Sequence, residues 1–132
     1  MITQQELLLT PLQQFFKEEE NSQEMEAILL GTSPISLRII DWYVTNYSKK
    51  YNTSYLLPIQ ENEDVPKQFI VYLNYKSQLK AYSKKQFDPF CRRDRIYFYY
   101  NETEYIITTV GQLNFFKWAI QNNVLNYIKD NL

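Results

Sequence analysis

Residues 95–128 read RIYFYYNETEYIITTVGQLNFFKWAIQNNVLNYI, and this run decides the fold class. Its first part, RIYFYY, is dense in aromatic and β-branched residues and predicts a strand. Asn101-Glu102 predicts the hairpin turn, and YIITT predicts the returning partner strand. Thr109-Val110-Gly111-Gln112 then matches the T-x-x-Q capping box, in which a Thr side chain closes the first turn of a helix. Leu113, Phe116, Ile120, Val124 and Tyr127 recur at helical spacing, with Phe115, Trp118, Ala119 and Ile128 beside them. A stripe that broad predicts one C-terminal helix buried against a sheet or another helix.

Upstream, the period changes near Gln68. FIVYLNY (69–75) predicts another strand, and YKSQLKAY (75–82) reads as its continuation or as a short helix, with strand the favoured reading. Asp88-Pro89 marks a turn, because the residue before proline is pushed out of the helical region. Tyr55-Leu56-Leu57 predicts a short strand, and ENEDVPK (61–67) an exposed loop. Ser36 caps a predicted helix through Tyr51, with Leu37, Ile40, Val44, Tyr47 and Tyr51 on one face, widened by Ile39 and Tyr43. Lys49 and Lys50 fall in its last turn, where they favour the helix dipole. Asp41, in the middle, is expected to pair with Arg38 or a backbone group. Residues 3–30 predict two helical pieces, with Thr10-Pro11 as a start pair and Gly31 as a left-handed stop. The expected fold is α+β: N-terminal helices, a small antiparallel sheet from roughly 68 to 109, and a C-terminal helix packed on that sheet. The whole of 1–132 is expected to be a single domain, with 1–35 a helical N-terminal extension and 36–132 the core.

Charge is sorted along the chain. The protein carries a net −1. Residues 76–95 set seven cations (Lys76, Lys80, Lys84, Lys85, Arg92, Arg93, Arg95) against two acids (Asp88, Asp94), a net of +5. Residues 17–26 hold Glu18, Glu19, Glu20, Glu24 and Glu26 against Lys17, a net of −4. The basic segment is threaded with Tyr82, Phe87 and Phe90. Cations contact phosphates, and exposed rings stack on unpaired bases, so this is the composition of a polyanion surface. The competing reading makes the rings core and the charges guards against edge pairing. The rings Tyr97, Phe98, Tyr99 and Tyr100 suggest the stacking platform of a sheet-based RNA binder, but that module's motif requires glycines that this stretch lacks, and alternate residues of the strand are expected to be core. The acidic run is read as a solvated helix face, or as a dock for a partner or for the protein's own basic segment.

Most catalytic chemistry is disfavoured. The chain has no His, one Cys and two Gly. Serine–histidine and cysteine–histidine pairings, zinc sites and glycine-rich phosphate loops all lack their parts. Cys91 lies beside Arg92 and Arg93, but no histidine base stands by to make it a nucleophile. The protein is therefore expected to be non-enzymatic and to need no cofactor or metal. One cysteine, no signal peptide and no long apolar run point to a reduced, intracellular protein without a membrane span. Lys outnumbers Arg by 10 to 4, and Tyr, Asn and Gln are abundant, as AT-rich codons favour.

The strings FDPFCRR (87–93) and TTVGQLNFFKWAI (108–120) resemble a small, largely uncharacterised protein family of nucleocytoplasmic large DNA viruses. The resemblance lies within roughly residues 36–130 and leaves out the first 30. It implies a viral protein in the host-cell cytoplasm or the virion, and it carries over no site residues. The expected function is a non-enzymatic, nucleic-acid-associated role. The binding residues are expected to be Lys76, Lys80, Lys84, Lys85, Phe87, Phe90, Arg92 and Arg93. The alternative is a protein-interaction or virion structural module, in which the acidic helix and aromatic surface make contacts with a viral or host protein or within a homo-oligomer.

Overall fold

The computed structural model describes residues 4–58, 64–90 and 95–131. It is an α+β fold. Helices α1 (Gln4–Lys17) and α2 (Glu19–Leu30) precede a rod made of α3 (Leu37–Trp42), a π-helical turn (Tyr43–Tyr47) and α4 (Ser48–Tyr51). Strands β1 (Ser54–Leu57) and β2 (Lys67–Ile70) pair antiparallel, and α5 (Val71–Tyr82) and α6 (Lys84–Phe87) follow. Strands β3 (Ile96–Tyr99) and β4 (Tyr105–Thr108) make a second antiparallel pair, and α7 (Val110–Gln121) and α8 (Val124–Asp130) close the chain.

Where the causes are local, the elements follow the sequence. The Ser36 hydroxyl accepts the Ile39 amide (3.1 Å) and starts α3. Gly31, at φ 80°, ends α2 with its amide on the Ile28 carbonyl. The Thr109 hydroxyl accepts the Gln112 amide (3.1 Å) and opens α7. The reciprocal half of the capping box is not made. The Gln112 side chain instead accepts from the Thr108 hydroxyl (2.7 Å) and donates to the Pro89 carbonyl (3.2 Å).

Four expectations are corrected. Pro11 does not start a helix but lies inside α1. Pro11 and Leu7 are both exposed, so the carbonyl that loses its N–H partner meets water, while Leu12 and Phe16 reach the core. The single sheet over 68–109 is two separate hairpins, because 71–82 is helical. A strand would put Val71, Leu73 and Tyr75 on one face. Leu73 is exposed, whereas Val71 and Tyr75, four residues apart, are buried. The turn after β3 is longer than Asn101-Glu102. The Asn101 side-chain oxygen accepts the amides of Thr103 (2.9 Å) and Glu104 (2.7 Å), and Tyr99 pairs with Tyr105 across the loop. The C-terminal helix breaks in two at Asn123, which takes φ 59°. The break leaves the Asn122 carbonyl free to accept the Tyr55 hydroxyl. Part of the predicted 61–67 loop, residues 61–63, lies outside the described residues.

The core gathers on α7. Leu113, Phe115, Phe116 and Ala119 are fully buried, and Trp118 nearly so. Phe16 of α1 meets Phe98 of β3 edge-on (5.9 Å), and Phe69 of β2 reaches Trp118 (6.1 Å). Both hairpins and both N-terminal helices therefore contribute to one hydrophobic cluster, to which Leu12, Met25 and Ile28 also belong. The Trp118 ring N–H donates to the Asn74 side chain (2.7 Å), so the buried indole is satisfied and ties α5 to α7.

Candidate nucleic-acid interface

Helix α5 buries one stripe and exposes the next. Val71 and Tyr75 turn inward, with Tyr75 packed on Phe87 (5.9 Å) and Trp118 (5.9 Å). One residue further round, Tyr72, Lys76 and Lys80 follow each other at four-residue spacing, which places them on a single helix face. Lys76 and Lys80 are exposed. Helix α4 packs beside the start of α5, and the Lys49 ammonium sits over the Tyr72 ring at 5.6 Å. Lys49 thus joins the Lys76–Lys80 face through a cation–π contact.

Ser83 ends α5 at φ 73°, a strained value for a residue other than glycine, and redirects the chain into α6. Lys84 and Lys85 are exposed there. Segment 84–90 is seated on the first turns of α7. The Asn114 side chain donates to the Gln86 carbonyl (2.8 Å), and a Cβ on Gly111 would stand 2.8 Å from the Asp88 carbonyl oxygen. Only glycine allows that approach. The strings FDPF and TTVGQLN are therefore neighbours in space. Asp88 accepts the Phe90 amide (2.8 Å) and holds the turn that presents the Phe90 ring.

The structure divides the expected site. Lys76, Lys80, Lys84 and Lys85 are all exposed, and Phe90 is 47% exposed. Phe87 is a correction: it is fully buried among Tyr75, Tyr82, Phe115 and Trp118, so it is a core residue and offers no face to a base. Tyr82 is partly exposed, with one face stacked on Phe87 (5.7 Å, 18°). Arg92 and Arg93, with Cys91, lie outside the described residues. Among the described residues, the one ion pair joins Lys129 to Glu24, so none of the site lysines is neutralised by a described acid. Two residues were missed by the sequence reading: Lys49 and Tyr72. The lysine was visible but was assigned only to its own helix dipole.

Next to this ridge the α3 rod opens a cleft of about 470 Å³, lined by Arg38, Ile39, Asp41, Trp42, Asn46 and Phe90. Among the described residues Arg38 makes no ion pair with Asp41, although it was one of the two partners expected for that acid. Its guanidinium sits over the Phe90 ring at 5.7 Å. The Asp41 carboxyl is held above the usual carboxylate range, first by burial and then by the charge of Asp88, with Arg38 opposing.

Among the described residues, no acid of α2 pairs with a cation of the basic segment. Glu24 pairs with Lys129 of α8, and Glu26 accepts the Tyr100 hydroxyl (2.9 Å). On β3, alternation sends Phe98 and Tyr100 inward and Tyr97 and Tyr99 outward. Tyr97, Tyr99, Tyr105 and Ile107 form an exposed face of the second hairpin. Among the described residues no helix is long and apolar enough to cross a membrane.

The chain is 44% identical over 110 residues to an uncharacterised protein of Acanthamoeba polyphaga mimivirus, a match that covers 80% of this chain and 41% of that relative. The chain thus spans about two fifths of the relative's length. A relative in a large DNA virus agrees with the viral family that the FDPFCRR and TTVGQLNFFKWAI strings resemble. No solved structure matches the chain. A family model matches residues 1–132, including the first 30 that the two strings leave out, and the chain belongs to that family, a family of unknown function designated DUF7197.

Proposed function

We propose that the protein is a non-enzymatic nucleic-acid-binding protein that holds the phosphate backbone of a single strand along the ridge Lys49, Lys76, Lys80, Lys84 and Lys85. One observation carries the reading: five lysines on three successive helices, α4, α5 and α6, are exposed and meet no acid among the described residues. Unpaired cations keep their full attraction for phosphate, and Tyr72 and the exposed edge of Tyr82 add ring surface beside them. A single strand suits a surface that mixes cations with rings better than a duplex, whose bases are already stacked.

The test is a salt titration of a labelled single-stranded 15-mer. Five phosphate contacts give a log–log slope of about −3.5, so affinity should fall about 100-fold between 50 and 200 mM salt. A salt-independent affinity, or no binding at 50 mM, overturns the reading.

A second reading rests on the exposed hairpin face. Tyr97, Tyr99, Tyr105 and Ile107 are each about half exposed or more, which is unusual for adjacent large apolar side chains. A second copy of this chain stacking face to face would cover it. Light scattering should then show a dimer that forms with rising protein concentration and is lost in Tyr97→Ser/Tyr105→Ser. A monomer at all concentrations removes this reading.

A further inference from the structure

The cleft beside the ridge has chemistry that phosphate binding does not use. Trp42 is 50% exposed and Phe90 47% exposed, and both rings line the cleft. The π-helical turn begins at the residue after Trp42. π-Turns break the regular helical spacing and recur at functional sites. Among the described residues, the Arg38 guanidinium, the Asp41 carboxylate and the Asn46 amide have no hydrogen-bond partner, and all three line the cleft. The Asp41 carboxylate is half-buried and its oxygens still reach solvent, so it is open to a ligand that supplies N–H groups.

We propose that this cleft binds a guanine base of a single strand, stacked on Trp42 and donating its N1–H and 2-amino hydrogens to the Asp41 carboxylate. The inference rests on the polyanion reading for the rest of the strand. Guanine alone presents two adjacent donors on its Watson–Crick edge, matching the two oxygens of a carboxylate. Adenine and cytosine set an acceptor nitrogen beside their amino group, and that lone pair would face the carboxylate. Uracil flanks its one N–H with two carbonyls. A cationic ligand is disfavoured, because Arg38 already holds the Phe90 face. Arg38 instead meets the phosphate of the bound nucleotide. Lys49 and Lys50 lie on the same rod, three and four residues beyond Asn46, and carry the strand on toward α5.

The test compares two labelled 15-mers on the full chain, one of uridines only and one with guanosine at its centre. The guanosine oligonucleotide should bind about tenfold tighter, as a two-bond base contact provides. Asp41→Asn should bring the ratio of the two affinities close to one, because an amide turns one acceptor into a donor. This variant removes a charge that burial disfavours, so its melting temperature should not fall. The nucleotides GMP, AMP, CMP and UMP test the cleft without the ridge. GMP should quench the exposed Trp42 more than the others do, with the buried Trp118 as a constant background. Equal quenching by the four nucleotides, or a guanosine preference retained in Asp41→Asn, overturns the proposal. Failure of the uridine 15-mer to bind while GMP still quenches selectively would overturn the ridge and leave the cleft standing.

Discussion

Phe87→Ala should lower the stability of the fold by about 3–5 kcal/mol, the usual cost of emptying a buried aromatic site. Phe87 has no exposed surface, and four rings surround it: Tyr82 at 5.7 Å, Trp118 at 5.8 Å, and Tyr75 and Phe115 at 5.9 Å. Those rings come from α5 and α7, so the void would open between these two helices. The short α6 cannot collapse inward to fill the space, since Asn114 holds the Gln86 carbonyl and Gly111 already sits against Asp88. A domain's whole stability is typically about 5–15 kcal/mol, so the variant should unfold at much lower urea than the parent. Urea titration followed by far-ultraviolet circular dichroism reads the effect. A loss below about 1 kcal/mol, combined with weaker oligonucleotide binding, would return Phe87 to the surface role that its flanking lysines suggested.

Reversing Lys76, Lys80, Lys84 and Lys85 to Glu should weaken single-strand binding by about 100-fold or more at 50 mM salt and flatten the salt slope by about 3. Each reversal removes a phosphate contact and adds a repulsion. The fold should be nearly unchanged, within about 0.5 kcal/mol for each substitution, because all four side chains are exposed and pair with no described acid. Lys49 would be left as the last cation of the ridge. Adding Lys49→Glu should therefore abolish what remains, and it removes only one cation–π contact with Tyr72. Unchanged binding in the fourfold variant would assign the affinity elsewhere on the molecule.

These two expectations separate residues that stand side by side in the chain. Lys85 and Phe87 are two positions apart, and composition treats both as parts of one basic–aromatic segment. In the fold one is in water and the other is in the core. In RIYFYY the expected alternation holds: Phe98 and Tyr100 are core, and because the strand pairs only with β4 on a thin hairpin, Tyr97 and Tyr99 are left uncovered. Asp41 was expected to pair with Arg38, three residues before it on the helix, or with a backbone group. Phe90, brought in from the far side of α6, takes the guanidinium instead.

The sequence by itself determined whatever depends on neighbours within a few residues. Ser36 and Thr109 start helices because their hydroxyls reach an amide three residues on, and Gly31 ends one because glycine accepts a positive φ. The pairing of β3 with β4, the α+β class and the separation of acidic from basic segments were legible for the same reason. Tertiary structure decided which residues of the basic segment face water. Residues 71–82 are helical because Tyr75 and Asn74 must reach Trp118, more than forty positions away. Lys49 joins Lys76 and Lys80 because α4 packs on α5. Burial is a property of the space around a side chain, and here that space is filled by residues that the local pattern of the sequence does not contain.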